Sequence, residues 1–168
     1  KRRAARTLLD ILFNYIVRWL APFLVFTCEE VWKSKGNGAS IHLEEFFKTD
    51  IKFKNDVIAK KWEKVKDVRK VITGALEVKR ANKTIGSSLE SHVDIYLSKE
   101  INSIIENIDM AEIAITSSAT ITVDDNHSSG FSLDDIKDVV VNVKKAEGKK
   151  CKRCWKFDRE INSSDICK

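Results

Sequence analysis

The sequence predicts a mainly helical fold with an α+β portion: a partial helical bundle, then a small α/β domain, then a truncated zinc knuckle. Three observations carry this. Apolar residues recur at helical spacing through about residue 81. The period then changes to strand-like alternation at residues 92–97. Finally, Cys151-Lys152-Arg153-Cys154-Trp155, with a third cysteine at Cys167, has the spacing with which one tight turn presents thiolates to a tetrahedral metal.

Leu8, Leu12, Tyr15, Ile16 and Trp19 predict an amphipathic helix over roughly residues 2–20. Pro22 suits the first turn of a second helix. Leu24, Cys28, Val31 and Trp32 form its apolar face, and Lys35-Gly36-Asn37-Gly38 ends it. Residues 40–47 form a short extended or irregular link. Asp56 is placed to cap a third helix, with Ile58, Trp62, Val65, Val68, Ile72, Ala75 and Leu76 as its buried stripe and an end near Ala81. Residues 82–86 break it.

Strands are expected at 92–97, 111–116 and 139–143, and 119–123 extends the sheet. Ser98 caps a helix at roughly 99–107, with Ile101, Ile104 and Ile105 inside. Asp124-Asp125-Asn126 forms a turn. The domains expected are residues 1–86, 87–148 and 149–168.

The 168 residues carry a net charge of +5, and the distribution says more than the sum. Lys1-Arg2-Arg3 and Arg6 open the chain, residues 60–83 are rich in Lys and Arg, and residues 144–159 are mostly positive. Clustered cations favour a polyanion such as RNA or DNA, while a solvated lysine-rich face is the plainer alternative. Lys60, Lys61, Lys64, Lys66, Arg69 and Lys70 lie mainly off the apolar stripe of the third helix.

Three of the four cysteines crowd into the tail, unlike a secreted disulfide scaffold. This points to a reducing, cytoplasmic setting, in which the Asn-x-Ser/Thr triplets at Asn82, Asn126 and Asn162 are chance matches. Cys28 reads as a small core residue. The apolar run from Leu8 to Trp32 is no membrane span, because Asp10, Asn14, Arg18, Glu29 and Glu30 interrupt it and Pro22 splits it. Nor is it a signal peptide. Lys1 reads as the interior of a longer chain, and Cys167-Lys168 as the first half of another Cys-x-x-Cys whose last ligand lies beyond it.

Cys151, Cys154 and Cys167 are the candidate zinc ligands; neighbouring Lys and Arg favour their thiolates. A redox pair or free thiols are the alternatives, but a redox Cys-x-x-Cys normally opens a helix in a βαβ setting. Trp155 and Arg153 offer an indole face and a guanidinium, a platform for an unpaired base. Alternatively, Trp155 covers the metal site. No catalytic motif emerges: Gly36-Asn37-Gly38 lacks the rest of a phosphate loop, and His42, His92 and His127 are isolated. Asp124-Asp125-Asn126 lacks the pattern of a calcium loop. Glu29-Glu30 reads as a solvated helix face.

Arg18-Trp19-Leu20-Ala21-Pro22-Phe23 followed by Phe26-Thr27-Cys28-Glu29-Glu30-Val31-Trp32 resembles the anticodon-binding helical bundle of class Ia aminoacyl-tRNA synthetases. Ser40-Ile41-His42-Leu43 follows as a similar short motif does there. Residues 83–90, Lys-Thr-Ile-Gly-Ser-Ser-Leu-Glu, resemble the segment leading into the junction domain. A Cys-x-Arg-Cys-Trp knuckle after that domain is similar to the bacterial isoleucyl family, whereas the valyl enzymes end in a coiled coil.

The resemblance implies an aminoacyl-tRNA ligase that uses ATP and magnesium in a catalytic domain, with editing in another domain. The two signature motifs of adenylate formation do not occur in this sequence. What the resemblance implies for these residues is binding of the isoleucine tRNA at its anticodon stem-loop, by a protein that is monomeric when whole. Arg153 and Trp155 are then candidates for contact with anticodon bases. Lys149, Lys150, Lys152 and Arg159 are candidates for backbone contacts. A zinc-finger module of another class, such as the four-cysteine finger of some DNA glycosylases, is the rival expectation, as is a valyl- or leucyl-type fragment. A protein-interaction domain whose charges are only solvated is a third.

Overall fold

The computed structural model describes residues 2–125, 129–161 and 164–167. Lys1, Asn126, His127, Asn162 and Lys168, named above, lie outside the described residues, so the turn expected at 124–126 is seen only through Asp125. The chain forms two compact units, Lys1–Lys54 and Asn55–Lys168.

In the first unit, α1 (Arg2–Leu20) and α2 (Val25–Ser34) are joined by a turn in which the Leu20 carbonyl accepts the amides of Phe23 and Leu24. That turn places Pro22 before the helix and not in its first turn, where the sequence puts it. Val17, Ala21, Cys28, Trp32 and Ile41 form the core, with Phe13 packed against it. Phe13, Val17 and Ala21 recur every four residues, so they share one face of α1. The stripe expected from Leu8, Leu12, Ile16 and Trp19 stays about half exposed, because α2 covers the other apolar flank. The link after α2 contains single 3-10 turns at Ile41–Leu43 and Ile51–Phe53.

Arg18 lies within this core, with a side chain only 8% exposed. Its Nη2 reaches Glu44 Oε2 at 2.7 Å, and its guanidinium stacks over Trp32 and Phe47 at 4.6 and 4.3 Å from the ring centroids. Glu29 is not the solvated carboxylate expected. It accepts from Ser40 Oγ at 2.8 Å and from the Ile41 amide at 3.0 Å, and pairs with Lys33. These bonds to Lys33, Ser40 and Ile41 hold its pKa down to about 2 against a small burial penalty.

The second unit opens with α3 (Asp56–Ala81). Its cap is Asn55, whose side chain accepts from the Ile58 amide; Asp56 is the first helical residue and not the cap. Val65, Val68, Val71, Ile72, Ala75 and Leu76 face a four-stranded sheet of order β2 (Ser118–Val123), β1 (Ser91–Leu97), β4 (Ile136–Lys145), β3 (Phe131–Leu133). Ile58 and Trp62, expected on that stripe, lie at its open start. Although the sequence groups α3 with the helices before it, its apolar stripe shares one core with Val93, Ile95 and Leu97 of β1 (Ser91–Leu97) and Val139, Val141 and Val143 of β4 (Ile136–Lys145).

β1 pairs in parallel with β2 (Ser118–Val123) and antiparallel with β4. Parallel neighbours need a crossover. Here it is α4 (Lys99–Ile105) and α5 (Met110–Ala114), with Ser98 capping α4 as expected. The strand expected at 111–116 is instead α5. The Asp109 carboxylate accepts the amides of Ala111 and Glu112, Met110 is buried, and Ile115 ends the helix in the left-handed region. A short strand the sequence reading missed, β3 (Phe131–Leu133), lines the other edge. Its Phe131 ring lies where a Cβ on Gly74 would meet it at 2.7 Å, so only glycine admits that approach of helix to strand.

Candidate metal centre and nucleic-acid interface

β5 (Lys149–Lys150) and β6 (Phe157–Asp158) form a two-stranded antiparallel hairpin whose loop carries the Cys-x-x-Cys. The Cys151 amide donates to Lys156 O at 2.8 Å and the Trp155 amide to Cys151 O at 3.0 Å, closing a tight turn. Gly148 enters it at φ 103°, and a Cβ there would collide with the backbone of Asp158. The cysteines thus sit in a strand-turn-strand setting, not at the start of a helix where redox pairs sit.

The turn folds back on Cys167. Cys151 Sγ and Cys154 Sγ lie 3.6 and 3.5 Å from Cys167 Sγ. Two thiolates on a tetrahedral zinc, each about 2.3 Å from the metal, are about 3.8 Å apart. The three sulfurs therefore fit zinc, and they are the three-cysteine cluster suited to a metal among the described residues.

Cys151 is fully buried, and its Sγ accepts the amides of Arg153 at 3.4 Å, Cys154 at 3.5 Å and Cys167 at 3.4 Å. The Cys154 and Cys167 amides, with that of Arg153, lower its pKa to about 6 against the cost of burial. Hydrogen bonds to Cys154 and Cys151 push the Cys167 thiol up. The first thiolate charge therefore settles on Cys151, the sulfur with the most amide donors.

The other site candidates surround this turn. Trp155 is 61% exposed, so it is not buried over the sulfurs, and Lys150 Nζ lies 5.4 Å from its ring centroid. Its φ of 65° is a costly conformation for an aromatic residue. The Arg153 guanidinium reaches Cys167 Sγ at 4.0 Å. Lys152 pairs with Asp165 at 2.7 Å, and its amide also donates to Asp165 O. Arg159 pairs with Glu147. Lys149 and Lys150 lie exposed on β5.

Much of the positive charge of α3 is engaged within its own unit. Lys61 and Arg69 donate to the carbonyls of Glu106 and Ile113, Lys70 pairs with Asp135 at 2.6 Å, and Arg80 pairs with Glu77. By contrast, His92 is not isolated as the sequence reading holds. On the sheet face opposite α3, its Nδ1 lies 2.7 Å from Ser118 Oγ and its Nε2 lies 3.1 Å from Asp94 Oδ1. Asp94 also pairs with Lys144 at 2.6 Å. Burial raises the Asp94 carboxyl, but Lys144 and His92 together bring it below the ordinary value. Strand register makes this cluster, setting His92 beside Ser118 and Lys144, and no sequence spacing reveals it.

The sequence matches the family described as "anticodon-binding domain of tRNA ligase" over residues 1–101. It is 42% identical to an isoleucine–tRNA ligase of Bartonella henselae, 43% to one of Agrobacterium fabrum and 44% to one of Bartonella quintana. Each alignment covers 97% of this chain and 17% of the relative, so the chain spans about a sixth of the length of these proteins. Among the described residues, no helix is long and apolar enough to cross a membrane.

Proposed function

The chain belongs to the family of anticodon-binding domains of tRNA ligases, and on that basis we propose that it is the tRNA-recognising C-terminal part of an isoleucine–tRNA ligase. The observation that carries this reading is the knuckle. It gathers three sulfurs at zinc spacing while leaving Trp155 turned to solvent. A scaffold that holds an indole outward is suited to stacking an unpaired base, and single-stranded loops are where RNA sequence is read.

In this reading Trp155 stacks on a base of the anticodon loop of the isoleucine tRNA. Arg153, two residues before it in the turn, donates to a base edge or its phosphate. Lys149, Lys150, Lys152 and Arg159 contact the backbone and set the register. Cys151, Cys154 and Cys167 hold zinc, which when bound ties the turn to the segment around Cys167. Aminoacylation, with ATP and magnesium, belongs to a catalytic part outside this chain. The whole protein is a cytoplasmic monomer. The DNA-glycosylase alternative is not favoured, since both the matched family and the relatives are tRNA ligases.

The test is a deletion in the whole enzyme that removes the chain from Cys151 onward. Aminoacylation of isoleucine tRNA should fall steeply while ATP-dependent activation of isoleucine persists. Retention of both activities would overturn the reading.

A further inference from the structure

The cysteine cluster takes its sulfurs from two segments of the chain. Cys151 and Cys154 share one turn, while Cys167 comes thirteen positions after Cys154 and must be brought back to it. Lys152 and Asp165 meet twice across that gap. The Lys152 amide donates to Asp165 O at 2.9 Å, and Lys152 Nζ lies 2.7 Å from Asp165 Oδ2. Both residues stand beside candidate ligands. Lys152 directly follows Cys151, and Asp165 lies two positions before Cys167, whose amide donates to Cys151 Sγ at 3.4 Å.

An exposed ion pair contributes little by itself. This one acts together with main-chain bonds on the same short stretch, so holding Asp165 also holds Cys167. Asp165 has a φ of 57°. Aspartate and asparagine enter that left-handed region more readily than most residues, so the residue suits both the turn and the pair. A ligand already in place need not be ordered when metal binds. Apparent affinity therefore rises with the fraction of chains in the competent arrangement.

We propose that Lys152 and Asp165 form a latch that positions Cys167, so that the third sulfur is held at the turn in the metal-free chain. The proposal rests on the reading of Cys151, Cys154 and Cys167 as zinc ligands and adds two positioning residues that supply no ligand atom. The latch is compatible with a phosphate contact by Lys152. An ammonium has three donors, and this side chain is 73% exposed, so pairing with Asp165 leaves donors free.

The experiment measures the zinc affinity of the full chain and its variants by competition with a chromogenic chelator. D165N keeps the left-handed turn and the Lys152 charge but loses the ion pair. It should weaken zinc binding by roughly three- to tenfold, between the effect of an exposed ion pair and that of an outer partner at a metal site. K152A should weaken it by a similar factor, and K152A/D165N by no more than either alone. K152R keeps the pair and should retain the affinity. With cobalt(II) in place of zinc, the thiolate-to-metal absorption of D165N should reach the intensity of the unaltered chain at saturation, because no ligand has been removed. Opposite changes in K152A and D165N would overturn the latch, since a field acting on the sulfurs from a distance moves the two variants apart. Equal affinity in all variants overturns it too, as does an additive loss in the double variant. An unaltered chain that binds no zinc would sink the zinc reading itself, and the latch with it.

Discussion

The backbone amide of Phe157 donates to the Ser117 hydroxyl at 2.7 Å, joining positions 40 residues apart. The same hydroxyl donates to Leu89 O. One side chain thus joins the knuckle, the start of β2 and the approach to β1. The small hairpin is thereby held on the sheet by a hydrogen bond of its own, apart from any metal.

Ser117→Ala should loosen the knuckle selectively. It leaves the Phe157 amide unpaired at a half-buried position, a cost of about 1–3 kcal/mol. Amide hydrogen exchange in β5 and β6 should quicken by roughly tenfold or more, while exchange in β1 and β4 is unchanged. Equal acceleration throughout the sheet would show that the bond serves global stability instead.

Cys151→Ser should weaken zinc retention by more than the roughly 10–100-fold that changes around a metal site's ligands produce. It removes the sulfur that three backbone amides address. Competition with a chromogenic chelator reads the loss. Cys28→Ala should leave metal stoichiometry untouched, since Cys28 is buried in the core of the first unit.

Trp155→Ala should cost about 1–3 kcal/mol in affinity for an RNA hairpin, the range for losing one base–aromatic stack. Trp155→Phe should recover part of it. Because the indole is already exposed, the substitution should leave zinc affinity unchanged. A fall in metal affinity would assign Trp155 to covering the sulfurs.

Arg18→Ala should destabilise the first unit by about 2 kcal/mol, through loss of charge-assisted bonding to Glu44 and of stacking on Trp32 and Phe47. Arg18→Lys should not restore it, because an ammonium cannot stack as a flat guanidinium does. Thermal unfolding monitored by near-ultraviolet circular dichroism, which senses Trp32, distinguishes the two.

Glu29 sets an acid limit on the same unit. Its folded pKa of about 2 lies below the ordinary value of 4.5, so the unfolded chain takes up the proton first as pH falls. The stabilisation it provides is present above pH 4.5 and is lost as pH drops from there through about 2. Acid unfolding of Glu29→Gln should therefore show a shallower pH dependence across this window than the unaltered chain, with lower stability at neutral pH.

The legible parts of the fold were those with a local cause. α1 and α3 appeared through helical spacing, β1 through alternation, the middle of β4 as the apolar stretch 139–143, and α4 through its Ser98 cap. Residues 111–116 misled because Ala-Glu-Ile-Ala-Ile-Thr alternates as a strand does. The Asp109 cap outweighs that pattern, and the sequence reading gave the cap no weight. β3 is three residues long and is held by pairing with β4, with Phe131 packed over Gly74.

For the site, the Cys-x-x-Cys spacing and the adjacent Arg153 and Trp155 were readable in the chain itself. A tight turn dictates where its own residues point, so the metal candidates followed from sequence. Tertiary structure decided what long-range pairing assembles: two sulfurs of the turn brought within 3.6 Å of Cys167, Arg18 buried between two rings, and His92 set between Ser118 and Asp94. It also decided which cations are balanced and which are not. The carboxylates that balance Lys70 and Lys144 lie tens of residues away, so such lysines and Lys156 look alike in sequence and differ only once the chain has folded.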